Sequence, residues 1–125
     1  MKTEIKTVKA PSAPGLLSQA VRVGKLIYTA GYIPVTNDWK LVEGSVEAQL
    51  EVIIKDITEV LHAGGAGIKD VVKVTIYLTD MTMLPELNKY YSRHFGEVLP
   101  AREVVGVAAL PLGAKMEMSV IAVKS

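Results

Sequence analysis

Between Val46 and Leu61 the apolar residues Val46, Leu50, Ile53, Ile54, Ile57, Val60 and Leu61 form one stripe on a 3.6-residue period. The spacing predicts a helix with one buried face. Ser45 stands where an N-cap hydroxyl satisfies the first free amides, Glu47 lies near the positive end of the helix dipole, and Gly64-Gly65-Ala66-Gly67 ends the run. Glu51 and Lys55, four residues apart on the polar face, are expected to pair. The period then changes to two. Val72, Val74, Ile76 and Leu78 alternate with Lys73, Thr75 and Tyr77, the pattern of a strand with unlike faces. Leu84, Leu87, Tyr91 and Phe95 return to helical spacing, with Pro85 tolerated in the first turn and Asp80 and Thr82 offering caps.

The remaining segments read as strands and turns. A short strand over Thr3 to Val8 runs into a loop at Ala10-Pro11-Ser12-Ala13-Pro14-Gly15, where prolines and glycine break any regular element. Ala20 to Val23 and Lys25 to Ala30 flank Gly24 as a hairpin, and Thr36-Asn37-Asp38-Trp39-Lys40 carries turn chemistry. Ala101 to Ala108 and Lys115 to Val123 are the last two strands. The order is β-β-β-α-β-α-β-β, an α+β fold in which two helices cover one face of a single mixed sheet, within one domain spanning 1–125. Tyr28, Val104 and Ile121 make the other face apolar as well. A second subunit is the expected cover.

Composition narrows the function classes. Of the 125 residues 50% are hydrophobic, which excludes a disordered chain, and fourteen basic against thirteen acidic residues leave a net charge of +1. Nucleic acid is therefore not expected as the main partner. The absence of cysteine removes disulfides, thiolate catalysis and thiolate metal sites together. It fits a cytoplasmic protein. The nearly apolar stretch from Val104 to Ala114 is broken by Gly106, Pro111 and Gly113, so no membrane span is expected. Nor does the N-terminus carry the apolar block of a signal peptide.

Several features that suggest chemistry have simpler explanations. The glycine run follows a helix and precedes a strand, the reverse of a phosphate-binding loop, and reads as a C-cap. His62 and His94 lie near helix ends, share no metal-ligand spacing, and have no serine partner that would mark a triad. Met116 and Met118 share one strand face and read as core. Arg102 opens an otherwise apolar strand, and Glu117 lies within another that a short connection could pair with it. Two readings stay open for this couple: a cross-strand ion pair, or a cleft with a carboxylate-binding guanidinium and an acid/base carboxylate.

Taken in order, Ala10 to Gly15, Tyr28-Thr29-Ala30-Gly31-Tyr32-Ile33-Pro34, Gly64 to Val72 leading into Lys73-Val74-Thr75-Ile76-Tyr77-Leu78, Leu87-Asn88-Lys89-Tyr90-Tyr91, Pro100-Ala101-Arg102, Leu110-Pro111 and Met116-Glu117-Met118 resemble the reactive intermediate deaminase (RidA/YjgF) family over the whole chain. The resemblance implies a homotrimer of chorismate-mutase-like subunits with sites in the clefts between them. The implied reaction is hydrolysis of reactive 2-enamine/2-imine acids, such as 2-iminopropanoate and 2-iminobutanoate, to 2-oxo acids and ammonia, with no metal and no organic cofactor.

By that resemblance Arg102 binds the substrate carboxylate and Glu117 orients water and exchanges a proton. Gly31 brings backbone close to the ligand, and Asn88 lies near the cleft. Leu17 stands where the family often has a site tyrosine, and Val104 where many members have a cysteine. Tyr32, next to Gly31, is the expected substitute for the lost hydroxyl. The alternatives are a non-catalytic regulatory trimer that senses a small carboxylate and a ribonuclease, the latter little supported by a net charge of +1 and 6% aromatic residues.

Overall fold

The computed structural model describes residues 1–124. Its strands are β1 (Thr3–Ile5), β2 (Ala20–Val23), β3 (Leu26–Thr29), β4 (Val71–Leu78), β5 (Ala101–Gly106) and β6 (Met116–Val123), with helices α1 (Val46–Ala63) and α2 (Leu84–Tyr91). The strands form one sheet in the order β1-β2-β3-β6-β4-β5, antiparallel except for the β4–β5 pair. The α+β fold and element order expected from the sequence are therefore present. β4 and β5 run parallel because α2 connects them, and a crossover of that length returns the chain to the same end of the sheet.

Every apolar residue of the α1 stripe is buried against the sheet. Its partners are Ile27 of β3, Val74, Ile76 and Leu78 of β4, and Met116, Met118, Val120 and Ala122 of β6. Burial of each large aliphatic side chain contributes about 1.5–3 kcal/mol, and so outweighs the helix's surface pairs. The Ser45 hydroxyl accepts from the Ala48 amide at 3.1 Å. At the other end the Ala66 amide reaches back to the Leu61 carbonyl and the Gly65 amide to that of His62, with Gly65 at φ 86°. This is a glycine C-cap. Glu51 differs from expectation: its partner is Arg93, in the turn that follows α2, whose guanidinium bridges Glu47 and Glu51 at 2.7 Å each.

α2 is shorter than its apolar spacing suggests, because 3₁₀ turns over Met81–Met83 and Ser92–His94 flank it. Asp80 caps the first of these turns rather than α2 itself. Leu87, Tyr91 and Phe95 are buried, and the Tyr91 and Phe95 rings lie 4.8 Å apart between centroids.

The strand partners of β5 and β6 correct one expectation. These strands are not neighbours, since β4 lies between them, paired with β5 on one side and β6 on the other. A short connection allowed their pairing but did not require it, and the parallel edge position of β5 follows from the α2 crossover.

The face of the sheet away from the helices carries Val23, Leu26, Tyr28, Ile121 and Val105 beside a polar row of Lys73, Thr75, Tyr77, Glu103, Glu117 and Ser119. Val104, expected there, instead lies on the helix side against the core. No helix among the described residues is long and apolar enough to cross a membrane.

Candidate active site

Two clusters collect the residues singled out in the sequence, and they lie on opposite sides of the sheet. The first is built on β5 and α2. Arg102 is in register with buried Val74 and therefore points to the helix side, sharing that side with Val104 two residues on. Its Nη1 donates to Asn88 Oδ1 at 2.8 Å. The Arg102 guanidinium carbon lies 4.7 Å from the centre of the Tyr91 ring. Asn88 and Tyr91 are three residues apart on α2, which places both on the face that meets β5. A planar guanidinium oriented by an amide and stacked on a ring keeps most of its donors for a ligand.

The sequence pattern places Tyr91 on the apolar face of the second helix and gives it no role at the site. The signal available was its spacing from Asn88. Its hydroxyl is buried without a hydrogen-bond partner among the described residues, and burial raises its pKa while the nearby Arg102 charge opposes that rise. The ring, rather than the hydroxyl, serves Arg102. No carboxylate lies within ion-pair distance of Arg102 among the described residues. The cross-strand ion pair with Glu117 is thereby ruled out within one chain.

The second cluster is built on β6 and the segment after β3. Tyr32 and Met118 exchange two backbone hydrogen bonds, N to O at 2.8 and 2.9 Å, which extends the sheet past the end of β3 and sets Gly31 alongside Glu117. A Cβ on Gly31 would stand 2.6 Å from Glu117 Oε2. A methyl at Gly31 would therefore displace Glu117, since the close neighbour is the carboxylate itself. Glu117 is half-buried on the open face and in register with Tyr77. Burial raises its carboxyl above the ordinary range, because the charged form loses hydration that nothing nearby replaces.

Leu17 belongs to this second cluster. With Pro11, Ala30, Gly31, Tyr32, Ile33, Val35 and Trp39 it lines a small notch beside Gly31. The Tyr32 hydroxyl does not take the place of a hydroxyl at Leu17. It is buried and donates to the Gln19 carbonyl at 3.0 Å. Burial, together with the charge of Asp56, raises its pKa further. Gln19 in turn fastens the loop that carries Leu17: its Nε2 donates to the carbonyls of Thr7, Ala10 and Pro11 while its Oε1 accepts from the Thr7 amide.

Within one chain, then, Arg102, Asn88 and Val104 are together, and Gly31, Glu117 and Leu17 are together, but the two groups are not. Among the described residues no three His, Asp or Glu side chains are grouped to hold a metal ion. The first cluster is suited to gripping a small carboxylate, and the second to accepting a proton from water.

Residues 7–124 match the family model described as Endoribonuclease L-PSP. The chain is 45% identical to Protein HMF1 of Saccharomyces cerevisiae, covering 96% of this chain and 93% of that one. It is 40% identical to the 2-iminobutanoate/2-iminopropanoate deaminase of Mus musculus, covering 96% and 90%. The crystal structure of yeast Mmf1 superposes with a TM-score of 0.95 at 38% identity, covering 100% of each chain. Likeness at this level, extending over the residues that build both clusters, makes the chain a member of the reactive intermediate deaminase (RidA/YjgF) family, the one that the L-PSP model describes.

Proposed function

We propose that the chain is a hydrolytic deaminase that converts small 2-imino acids and their enamine tautomers, 2-iminopropanoate and 2-iminobutanoate among them, to 2-oxo acids and ammonia. The observation that carries this reading is the Arg102 guanidinium, oriented by Asn88 and Tyr91 and paired with no carboxylate among the described residues of its own chain. The mouse relative's activity, at 40% identity, supports the same substrate class.

The reaction asks little of the protein. The imine carbon is already electrophilic when its nitrogen is protonated, so water must be oriented, deprotonated as it attacks, and kept near the carbon. Arg102 holds the substrate carboxylate. Glu117, as the carboxylate, takes a proton from water as the C–O bond forms at C2. The tetrahedral amino alcohol then receives that proton on nitrogen, the C–N bond breaks, and ammonia leaves as the C2 hydroxyl passes its own proton to the Glu117 carboxylate and becomes the carbonyl; Glu117 then gives that proton to the released ammonia. General acid–base help of this kind is worth about 10²–10⁴-fold.

Because Arg102 and Glu117 face opposite sides of one sheet, the working site takes Arg102, Asn88 and Val104 from one copy and Glu117, Gly31 and Leu17 from another. A homotrimer that buries the apolar open face would supply this arrangement. The test is to generate 2-iminobutanoate enzymatically beside a semicarbazide trap. Diversion to free 2-oxobutanoate that is lost in Arg102→Ala supports the reading. The second reading, a carboxylate-sensing trimer without turnover, is favoured by the missing hydroxyl at Leu17. Saturable, Arg102-dependent binding of 2-oxobutanoate with no imine diversion would establish it instead.

A further inference from the structure

Trp39 occupies a backbone position that its own side chain disfavours. The Thr36 and Trp39 amides close a tight turn, donating to the Lys40 and Thr36 carbonyls, between the bridged residues Val35 and Leu41. Trp39 is the residue after the turn's central pair and has φ 66°. This left-handed region is taken by glycine at the matching place in such turns, and a bulky residue there is strained. The strained residue is also tethered. Its indole N–H donates to the Ser12 carbonyl at 3.1 Å, across to the loop that carries Leu17.

Trp39 and Leu17 are both partly exposed and line the same notch, which is bounded on another side by Gly31 and so lies next to Glu117. The notch measures about 20 Å³, close to the space that one water-sized sphere fills. Besides Gly31, its lining is supplied by Pro11, Leu17, Ala30, Tyr32, Ile33, Val35 and Trp39, with the Tyr32 hydroxyl already committed to Gln19. A methyl group fills such a space, and because the exposed Leu17 and Trp39 leave the notch open, the second carbon of an ethyl group can rest at its mouth without any loss of hydrogen bonds. A longer chain meets the indole, and a polar side chain is desolvated with no partner.

We propose that Trp39, backed by Leu17, sets the size limit for the substrate side chain, admitting the one- or two-carbon apolar chains of 2-iminopropanoate and 2-iminobutanoate and excluding branched, aromatic or polar ones. This rests on the deaminase reading for the reaction, but not for the binding preference. Trp39 is a specificity residue, and the strain at its backbone is what a turn accepts to place an aromatic wall there.

The test measures kcat/KM for imines produced by an amino-acid oxidase from alanine, 2-aminobutyrate, leucine, phenylalanine and glutamine, in wild type and Trp39→Gly. In wild type the leucine- and phenylalanine-derived imines should fall at least about 10-fold below 2-iminobutanoate, and in Trp39→Gly that ratio should close to within about 3-fold. An unchanged ratio, or equal losses for all substrates, overturns the size limit. Binding is read separately. Trp39 is the only tryptophan in the chain, so its emission reports ligands directly. It should respond to 2-oxobutanoate and not to 4-methyl-2-oxopentanoate at the same concentration. Selective emission change without imine turnover would end the deaminase reading and leave the size limit standing. Turnover without selectivity would do the reverse, and absence of both would end both.

Discussion

Arg102 and Glu117 stand on opposite faces of one sheet with β4 between their strands. No rotation of either side chain brings a guanidinium on the helix side to a carboxylate on the open side. If both act on one substrate, each active site is shared between copies. This relationship yields a test by mixing. Arg102→Ala and Glu117→Gln should each be inactive alone, and refolding them together at equal amounts should restore about one quarter of wild-type turnover, since half the copies offer the arginine and half of their neighbours the glutamate. No recovery from a mixture shown to exchange subunits would place both residues' roles within one copy.

Gly31 should prove important for activity and minor for stability. An added methyl would stand 2.6 Å from Glu117 Oε2, the end of a flexible side chain that can swing aside. Gly31→Ala is therefore expected to melt within a few degrees of wild type, a shift under about 1 kcal/mol for a chain of this size, while imine turnover falls by about 10-fold or more as the carboxylate is displaced. Equal losses in melting temperature and turnover would assign Gly31 to packing alone.

Glu117 sets a pH dependence of definite sign. Burial raises its carboxyl above the ordinary range. A base must be deprotonated, so the Glu117-dependent part of the rate should fall as pH drops through that raised value, higher than for a solvated glutamate. Glu117→Gln should remove this acidic limb. A limb that survives the substitution belongs to another group.

Asp56 offers a separate pH test on stability. It is buried on α1, its Oδ2 has no hydrogen-bond partner among the described residues, and its carboxyl is pushed up to about 6, chiefly by loss of hydration and opposed by the charge of Lys55. As pH rises from the usual carboxylate range through about 6, the unfolded chain releases this proton before the folded one does. Stability therefore falls over that window and stays lower above it. Asp56→Asn should abolish a loss of about 1–2 kcal/mol between pH 4 and 7.5, measured as the difference in denaturant stability of the two proteins at the two pH values. A constant difference across that range would mean that the carboxyl titrates like an exposed one.

Much of the fold was legible in the sequence because burial imposes a period. The α1 stripe from Val46 to Leu61, the alternation of β4 and the Met116/Met118 pair each repeat at the spacing of their element, and each is buried as that spacing requires. The strand neighbours were less legible. Chain proximity suggested pairing β5 with β6, and the parallel insertion of β4 depends on how α2 crosses the sheet, which no local pattern encodes. At the site, residue types carried Arg102 and Glu117, and family resemblance carried Gly31, Asn88, Leu17 and Val104. The Tyr32 hydroxyl and the Trp39 wall depend on contacts across the loop from Ala10 to Gln19. Their roles follow from partners more than twelve residues away, beyond the reach of a period.

The amide of Gln19 holds that loop by four hydrogen bonds to Thr7, Ala10 and Pro11, while its own carbonyl accepts from Tyr32 and from the Ala30 amide. Such a fastening is indifferent to redox conditions, and its one titratable group, the Tyr32 phenol, is held protonated by burial. It is strong only while dry, since water competes for every one of its bonds. The segment from Thr7 to Leu17 should consequently open as one unit ahead of the sheet. Native-state hydrogen exchange should show the Thr7 and Ala30 amides sharing an opening free energy well below that of the β4 amides, and Gln19→Ala should lower theirs without altering that of β4. The wall that faces the substrate would then be the part of the protein that breathes most readily.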